Sequence, residues 1–195
     1  MRHPRRFSQA ISEGDGISII VAAGDADTAR AAEADGAEAI LVRGHVEGMR
    51  EATTLPILWC VPGATREAHG AEADAFLLVY DDLAGDAHRL EELHDEVVRL
   101  GLDCVVDVRS DEDLQAALER IDPEIFLLSG GGDDREALDR VLELLQDVPA
   151  GKLAVAEVPD PGRAEVDALE RAGFDAVVVE PGSVAELAGG APPAV

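Results

Sequence analysis

Eight short apolar runs punctuate the chain: "ISIIVA" (17–22), "EAILVR" (38–43), "LPILWCV" (55–61), "AFLLVY" (75–80), "DCVVDV" (103–108), "EIFLLS" (124–129), "KLAVAEV" (152–158) and "DAVVVE" (175–180). Each is apolar almost throughout instead of alternating with polar residues. That is the pattern of a parallel strand covered on both faces. Between the runs lie stretches with helical spacing. "DADTARAAEADGA" has an Asp or Thr start and a Gly stop. "AGDAHRLEELHDEVVRLG" sets Leu90, Leu93, Val97 and Leu100 three and four apart and ends at Gly101. "SDEDLQAALERI" opens with Ser110 as a cap and Asp113 three residues on, a capping box with Asp in place of Glu. "DDREALDRVLELLQDV" and "DPGRAEVDALERAGF" carry the same signal, whereas the helices after the second, third and eighth runs are short or indistinct.

Eight strands in strict alternation with helices predict an α/β fold, a compact eight-stranded parallel (β/α)8 TIM barrel. The alternative, an open doubly wound sheet, calls for fewer strands and a Gly-rich loop after the first of them. "VAAGDADT" holds a single Gly there, so the barrel is preferred. Residues 1–16 are expected to form a leader capping the barrel bottom, 17–188 the single barrel domain, and 189–195 a disordered tail. At 195 residues the barrel lies at the lower edge of its size range, so its loops must be short.

Composition narrows the partners. The formal net charge is −25. Such a surface disfavours nucleic acid and anionic membranes, and it opposes anionic substrates unless a local basic pocket intervenes. No apolar run approaches the ~18 residues of a membrane span, and no apolar stretch follows the basic start "MRHPRRFSQA", so the cytoplasm is the expected compartment. Cys60 and Cys104 stand in apolar runs without metal spacing and read as free buried thiols. No motif calls for a cofactor or a metal.

Candidate chemistry collects at strand ends. Asp107 and Glu157 close the fifth and seventh runs, where two carboxylates in different environments can act as acid and base. They could equally pair with Arg109 and Arg43. "SGGGDD" (129–134), with Ser129 and Gly130, could form a backbone nest for an anion, although a Gly run beside acids is more often a loop and helix cap. His45 and Tyr80 stand near the mouth and are candidates for ligand contact, Tyr80 together with Arg43. His88 and His94 are six apart on one helix and do not share a metal-binding face. "DDLAGD" (81–86) has oxygen ligands for a cation but reads as acidic surface. Cys60 would serve as a nucleophile only with a nearby base. Trp59 and Cys60 alternate in direction, so one faces the barrel interior and the other the helices.

The order and texture of these strands resemble the indole-3-glycerol phosphate synthase family, most clearly in "ADAFLLVYDDL", "LGLDCVVDVRSDEDLQAAL" and "AVAEVPDPGRAEVDALERAGFDAVVVEPGSV". "RRFSQAISEGDGISIIVA" is similar to the end of that family's leader running into its first strand. The family closes an indole ring on a phosphorylated substrate that loses its carboxyl group. The resemblance implies a general-acid Lys on strand three, a second Lys on strand one, Glu on strands one, five and seven, an Asn on strand six, and a phosphate cradle after strands seven and eight.

This chain departs from that set. Cys60 takes the place of the strand-three Lys and Trp59 that of an Arg. Ala22 and Gly24 stand at the Glu and Lys positions of strand one. Ser129 replaces the Asn, and Gly131 the Arg after it. Glu157 is kept, and Asp107 replaces a Glu. Val158–Pro159 and Glu180–Pro181 replace the Ser-Gly and Gly-Ser pairs of the cradle. A Pro offers no N–H to a phosphate, and Glu180 repels one. The single lysine, Lys152, begins the seventh run, at the structural end of a barrel.

Three functions are expected, in this order. The first is a synthase-like barrel that has lost the synthase reaction and serves a binding or regulatory role, linked through the resemblance to tryptophan biosynthesis, with a small molecule as its ligand. The second is an enzyme of changed chemistry using Asp107 and Glu157, with Cys60 as a further candidate. The third is surviving synthase (carboxy-lyase) activity, supported by family analogy alone.

Overall fold

The computed structural model describes residues 6–14, 16–60, 73–80, 87–130 and 134–188. Eight parallel strands close into a barrel in sequence order: β1 (Ser18–Ala22), β2 (Ala39–Arg43), β3 (Ile57–Cys60), β4 (Ala75–Val79), β5 (Asp103–Val108), β6 (Ile125–Ser129), β7 (Leu153–Glu157) and β8 (Ala176–Val179). The ring closes through β8 and β1, with Val178 beside Ile20. Every strand falls within two residues of its apolar run, because continuous apolarity is what two-sided burial demands.

The helices of the described residues are α1 (Phe7–Ser12), α2 (Ala26–Asp35), α3 (Met49–Ala52), α4 (Ala87–Arg99), α5 (Asp111–Arg120), α6 (Asp134–Leu145), α7 (Arg163–Ala172) and α8 (Val184–Ala188). Asp25 caps α2 by accepting from the Thr28 N–H at 2.7 Å. Ser110 caps α5 by accepting from the Asp113 N–H at 3.2 Å. The Asp113 carboxylate reaches back to the Arg109 N–H at 3.3 Å, one residue earlier than a standard capping box, so the cap also fixes the end of β5. α3 and α8 span four and five residues, in keeping with the indistinct pattern there.

Two apolar cores follow from the alternation of side chains along each strand. The interior core holds Ile20, Leu41, Leu58, Leu77, Val105, Leu127, Val155 and Val178. Phe7 and Ile11 of α1 join this core, and Ser18 Oγ donates to the Ala10 and Ile11 carbonyls, so α1 is stitched beneath the barrel. The outer core lies between strands and helices and contains Trp59, Phe76, Phe126, Leu90, Leu114, Val141 and Leu169.

The bottom of the barrel is tied by carboxylates. Glu38 accepts from the Ile19 N–H at 2.8 Å, Asp74 from the Ile57 N–H at 2.9 Å, and Asp175 from the Ala154 N–H at 2.7 Å. Each acid stands one residue before a strand and closes the first exposed N–H of the strand before it. Asp103 does the same for the leader, accepting from the Ser8 N–H at 2.8 Å.

Candidate functional site

The interior side chains nearest the C-terminal mouth follow from the period of two along each strand. They are Ala22, Arg43, Cys60, Val79, Asp107, Ser129 and Glu157, each two residues beyond a member of the interior core. In-register pairs bring Arg43 beside Cys60, Val79 beside Asp107 and Ser129 beside Glu157. This is the face on which barrels carry their chemistry.

Two acid–base clusters form there. Asp107 is 4% exposed and accepts from Ser129 Oγ at 2.5 Å. Arg109 Nη2 approaches its other oxygen at 3.3 Å. Burial raises the Asp107 carboxyl above the usual range. The Ser129 hydroxyl and the Arg109 charge pull it back down, while the charge of Glu157 adds to the rise. The second cluster spans the mouth: Arg43 Nη2 donates to both Glu157 oxygens, at 2.6 and 2.8 Å, across 114 residues of chain. Both carboxylates therefore face the arginines that the sequence offered as partners.

A cleft of about 270 Å³ opens beside these clusters at the ends of β6, β7 and β8. It is lined by Arg109, Ser129, Gly130 and Glu157 together with Val158–Asp160 and Val178–Glu180. Asp107 is not among the lining residues and is bonded to one of them, Ser129. The Gly130 N–H is turned to the Glu157 carbonyl at 3.4 Å and its carbonyl accepts from Arg140 Nη1 at 2.8 Å, so neither belongs to an anion nest. A Cβ at Gly130 would stand 2.5–2.7 Å from the backbone and Cβ of Ala137 in α6. Close strand–helix approach is the reason for this glycine. The remainder of the expected nest, residues 131–133, lies outside the described residues, as does the acidic loop 81–86.

The other candidates separate from the cleft. Cys60 packs against the interior core, while Trp59 is 3% exposed in the outer core and donates from Nε1 to the Gly44 carbonyl at 2.7 Å. Tyr80, expected among the ligand contacts, packs instead against the outer core, because β4 ends at Val79 and the backbone is already helical at Tyr80. His45 is exposed, with its ring 6.4 Å from that of Trp59. Cys104 is buried, and burial pushes its thiol up to about 12. Among the described residues no group of three or more His, Cys, Asp or Glu is placed to hold a metal ion. No helix among them is long and apolar enough to cross a membrane.

Lys152 sits at the opposite end of the barrel, with Nζ 2.8 Å from Asp122 Oδ1 and donating to the Asp122 carbonyl. Sequence reasoning missed the three bottom acids. Glu38 and Asp175 open apolar runs and Asp74 immediately precedes one, and only the local string of an acid followed by Ala at a strand start marks them.

No family model matches the chain. Curated relatives do. An indole-3-glycerol phosphate synthase from Geobacillus sp. (strain WCH70) is 30% identical over 171 residues, covering 77% of this chain and 64% of that protein. One from Acidithiobacillus ferrooxidans is 32% identical over 145 residues, 69% of this chain and 52% of that protein. The chain thus spans less than two thirds of the length of these relatives. Among solved structures, an N-acetylmannosamine-6-phosphate 2-epimerase from Clostridium perfringens superposes with a TM-score of 0.70 at 17% identity, over 95% of this chain and 94% of that one. A thiamine phosphate pyrophosphorylase from Pyrococcus furiosus gives 0.65 at 14% identity, over 88% and 90%. At such identities these two speak for the barrel fold alone.

Proposed function

The chain is a divergent relative of the indole-3-glycerol phosphate synthases, and from that premise we propose that it is a small-molecule-binding barrel that no longer carries out the synthase reaction. The observation that carries this reading is the position of Lys152. It is the chain's single lysine, and it is paired with Asp122 at the end of the barrel away from the mouth. An ammonium general acid therefore has no source at the catalytic face. Arginine does not replace it, because a guanidinium holds its protons too tightly to transfer them at neutral pH.

The second support is the cleft itself. In barrels of this kind the loops after the seventh and eighth strands supply backbone N–H groups to a phosphate. Here that region presents Pro159, which has no N–H, and the carboxylates of Asp160 and Glu180. A phosphorylated compound of the kind in the relatives' name meets repulsion where it needs donors. Among the described residues Trp59, Phe126 and Tyr80 pack in the outer layer and none of them lines the cleft.

The test is direct. The purified protein is given the substrate of the synthases and the indole product is followed by its absorbance and by mass. No product above the uncatalysed rate is expected. Turnover near the ~1–1000 per second of ordinary enzymes refutes the reading, since such rates need positioned acid catalysis. A thermal-shift screen against tryptophan-pathway metabolites would identify a ligand by a raised melting temperature.

One observation favours a second reading, acid–base chemistry of another kind. The two mouth carboxylates sit in unlike environments, with Asp107 buried under Ser129 and raised, and Glu157 held by the Arg43 guanidinium. Such a split is what a general acid and a general base require.

A further inference from the structure

Resting on the reading of the chain as a binding barrel, we propose that the cleft at the ends of β6, β7 and β8 is a site for an organic cation, a guanidinium or primary ammonium group on a short apolar stem, and that the side chain of Arg43 is its built-in competitor. The cleft is lined by three carboxylates, Glu157, Asp160 and Glu180, against one guanidinium, Arg109. The Arg109 charge lies 3.3 Å from Asp107, which is buried and is not among the lining residues. The walls between the carboxylates are apolar, formed by Val158, Val178 and Val179. A few polar groups converging in a partly apolar pocket are the usual makeup of a small-molecule site.

Arg43 indicates which ligand fits. It rises from β2, on the far side of β1 and β8 from Glu157 on β7, and reaches over the mouth to that carboxylate. A single nitrogen, Nη2, meets both oxygens, so the Glu157 carboxylate already has the geometry of a cation receptor. The Arg43 side chain is 46% exposed and that of Glu157 25%. An exposed pair of this kind gains little over its separated, hydrated partners, because screening and the ordering of a long side chain offset the attraction. A ligand cation restores the bonds to Glu157, and Arg43 regains its freedom in water. The apolar stem then supplies a gain that Arg43 does not make. An anion finds the opposite: Glu180 repels it and Pro159 gives it no N–H.

The experiment is an NMR titration of the isotopically labelled protein at neutral pH and low salt with four probes of similar length: n-butylguanidinium, n-butylammonium, n-pentanol and n-butyl phosphate. The two cations are expected to shift the amides of Glu157, Val158 and Asp160 and of Val178–Glu180. Arg43→Ala is expected to tighten cation binding about 3–10-fold by removing the competing state. Glu157→Gln is expected to weaken it by at least about tenfold by removing the charge-assisted bonds. Glu180→Gln, at an exposed position, gives a smaller loss and decides the matter if Glu157→Gln does not fold. The proposal is overturned if butyl phosphate is preferred, if pentanol binds the cleft as tightly as the cations, if Arg43→Ala does not tighten binding, or if no probe shifts the cleft. Pentanol binding there would sink the cation proposal and leave the binding barrel standing, whereas indole product in the synthase assay would sink the binding reading itself.

Discussion

The indole N–H of Trp59 donates to the carbonyl oxygen of Gly44 at 2.7 Å. Trp59 lies on the outer face of β3, and Gly44, with φ of 101°, opens the turn that follows β2. The chain's single tryptophan thus fixes the backbone one residue beyond Arg43, whose side chain crosses the mouth to Glu157. Packing outside the barrel and geometry inside it are joined through one turn.

Trp59→Ala should therefore cost about 3–5 kcal/mol, the range for a buried aromatic. Trp59→Phe should cost less, since it keeps most of the packing and chiefly loses the bond to Gly44, worth about 1 kcal/mol. Urea unfolding of both variants measures this. A Trp59→Ala protein within about 1 kcal/mol of the parent would show that the residue is not part of the outer core.

Gly130→Ala should destabilise the fold more than a surface Gly→Ala change would. A Cβ there would meet Ala137 O, Cα and Cβ at 2.5–2.7 Å, and most of those atoms belong to helix backbone that has little room to retreat. Overpacking of this kind costs about 1–3 kcal/mol or more. The same displacement would move Ser129, which bonds to Asp107. A melting temperature unchanged from the parent would mean that α6 does not press on the end of β6 as described.

The barrel was legible because two-sided burial makes parallel strands apolar along their whole length, and the eight runs predicted every strand to within two residues. The partners of the mouth carboxylates were half legible: the sequence offered Arg109 for Asp107 and Arg43 for Glu157 as one of two readings, and the structure forms both pairs. The sequence did not reveal Tyr80 packing in the outer layer, since the apolar run continues through it and gives no sign that the strand ends at Val79 and the backbone turns helical. Nor did it reveal the work of Glu38, Asp74 and Asp175. An acid at the edge of an apolar run reads as a boundary. Its bond to the N–H of the preceding strand depends on a register that only the closed sheet defines.

Asp74 is the most heavily used of these acids. Its Oδ2 accepts from the Ile57 N–H at 2.9 Å and from Arg50 Nη1 at 3.1 Å, and Arg50 also donates to the Thr53 and Leu55 carbonyls. Asp74→Ala should cost about 2–4 kcal/mol, because it leaves a largely buried guanidinium without its carboxylate and a strand N–H without its acceptor. Asp74→Asn should recover part of the loss through its amide oxygen. Equal destabilisation by the two substitutions would count against the hydrogen-bonding role.

The same acids set the direction of the pH dependence. Burial raises Asp74, Asp175, Glu38 and Asp107 above their ordinary values. A carboxyl whose folded pKa exceeds its unfolded one binds its proton more tightly in the folded state. Its contribution to stability is complete below the unfolded pKa and is lost as pH rises through the folded pKa. Asp25 and Glu33 are lowered, through the Thr28 N–H for Asp25 and through the Thr54 and Thr53 hydroxyls outweighing burial for Glu33. Their contribution has the opposite sign and is lost as pH falls through their lowered values, below the window that matters here. As pH falls from 8 toward the ordinary carboxyl values of 3.8 for Asp and 4.5 for Glu the raised groups prevail, and the net charge of −25 adds self-repulsion that protonation relieves. The melting temperature is expected to climb over that interval, by about 2–4 °C for each kcal/mol gained. At pH 8 added salt should raise it as well, since the Debye length shortens to about 10 Å at 0.1 M. Calorimetric scans across pH and salt check both, and a melting temperature that falls as pH is lowered from 8 toward the ordinary carboxyl values would mean that the buried carboxylates are better satisfied when ionised than their surroundings indicate.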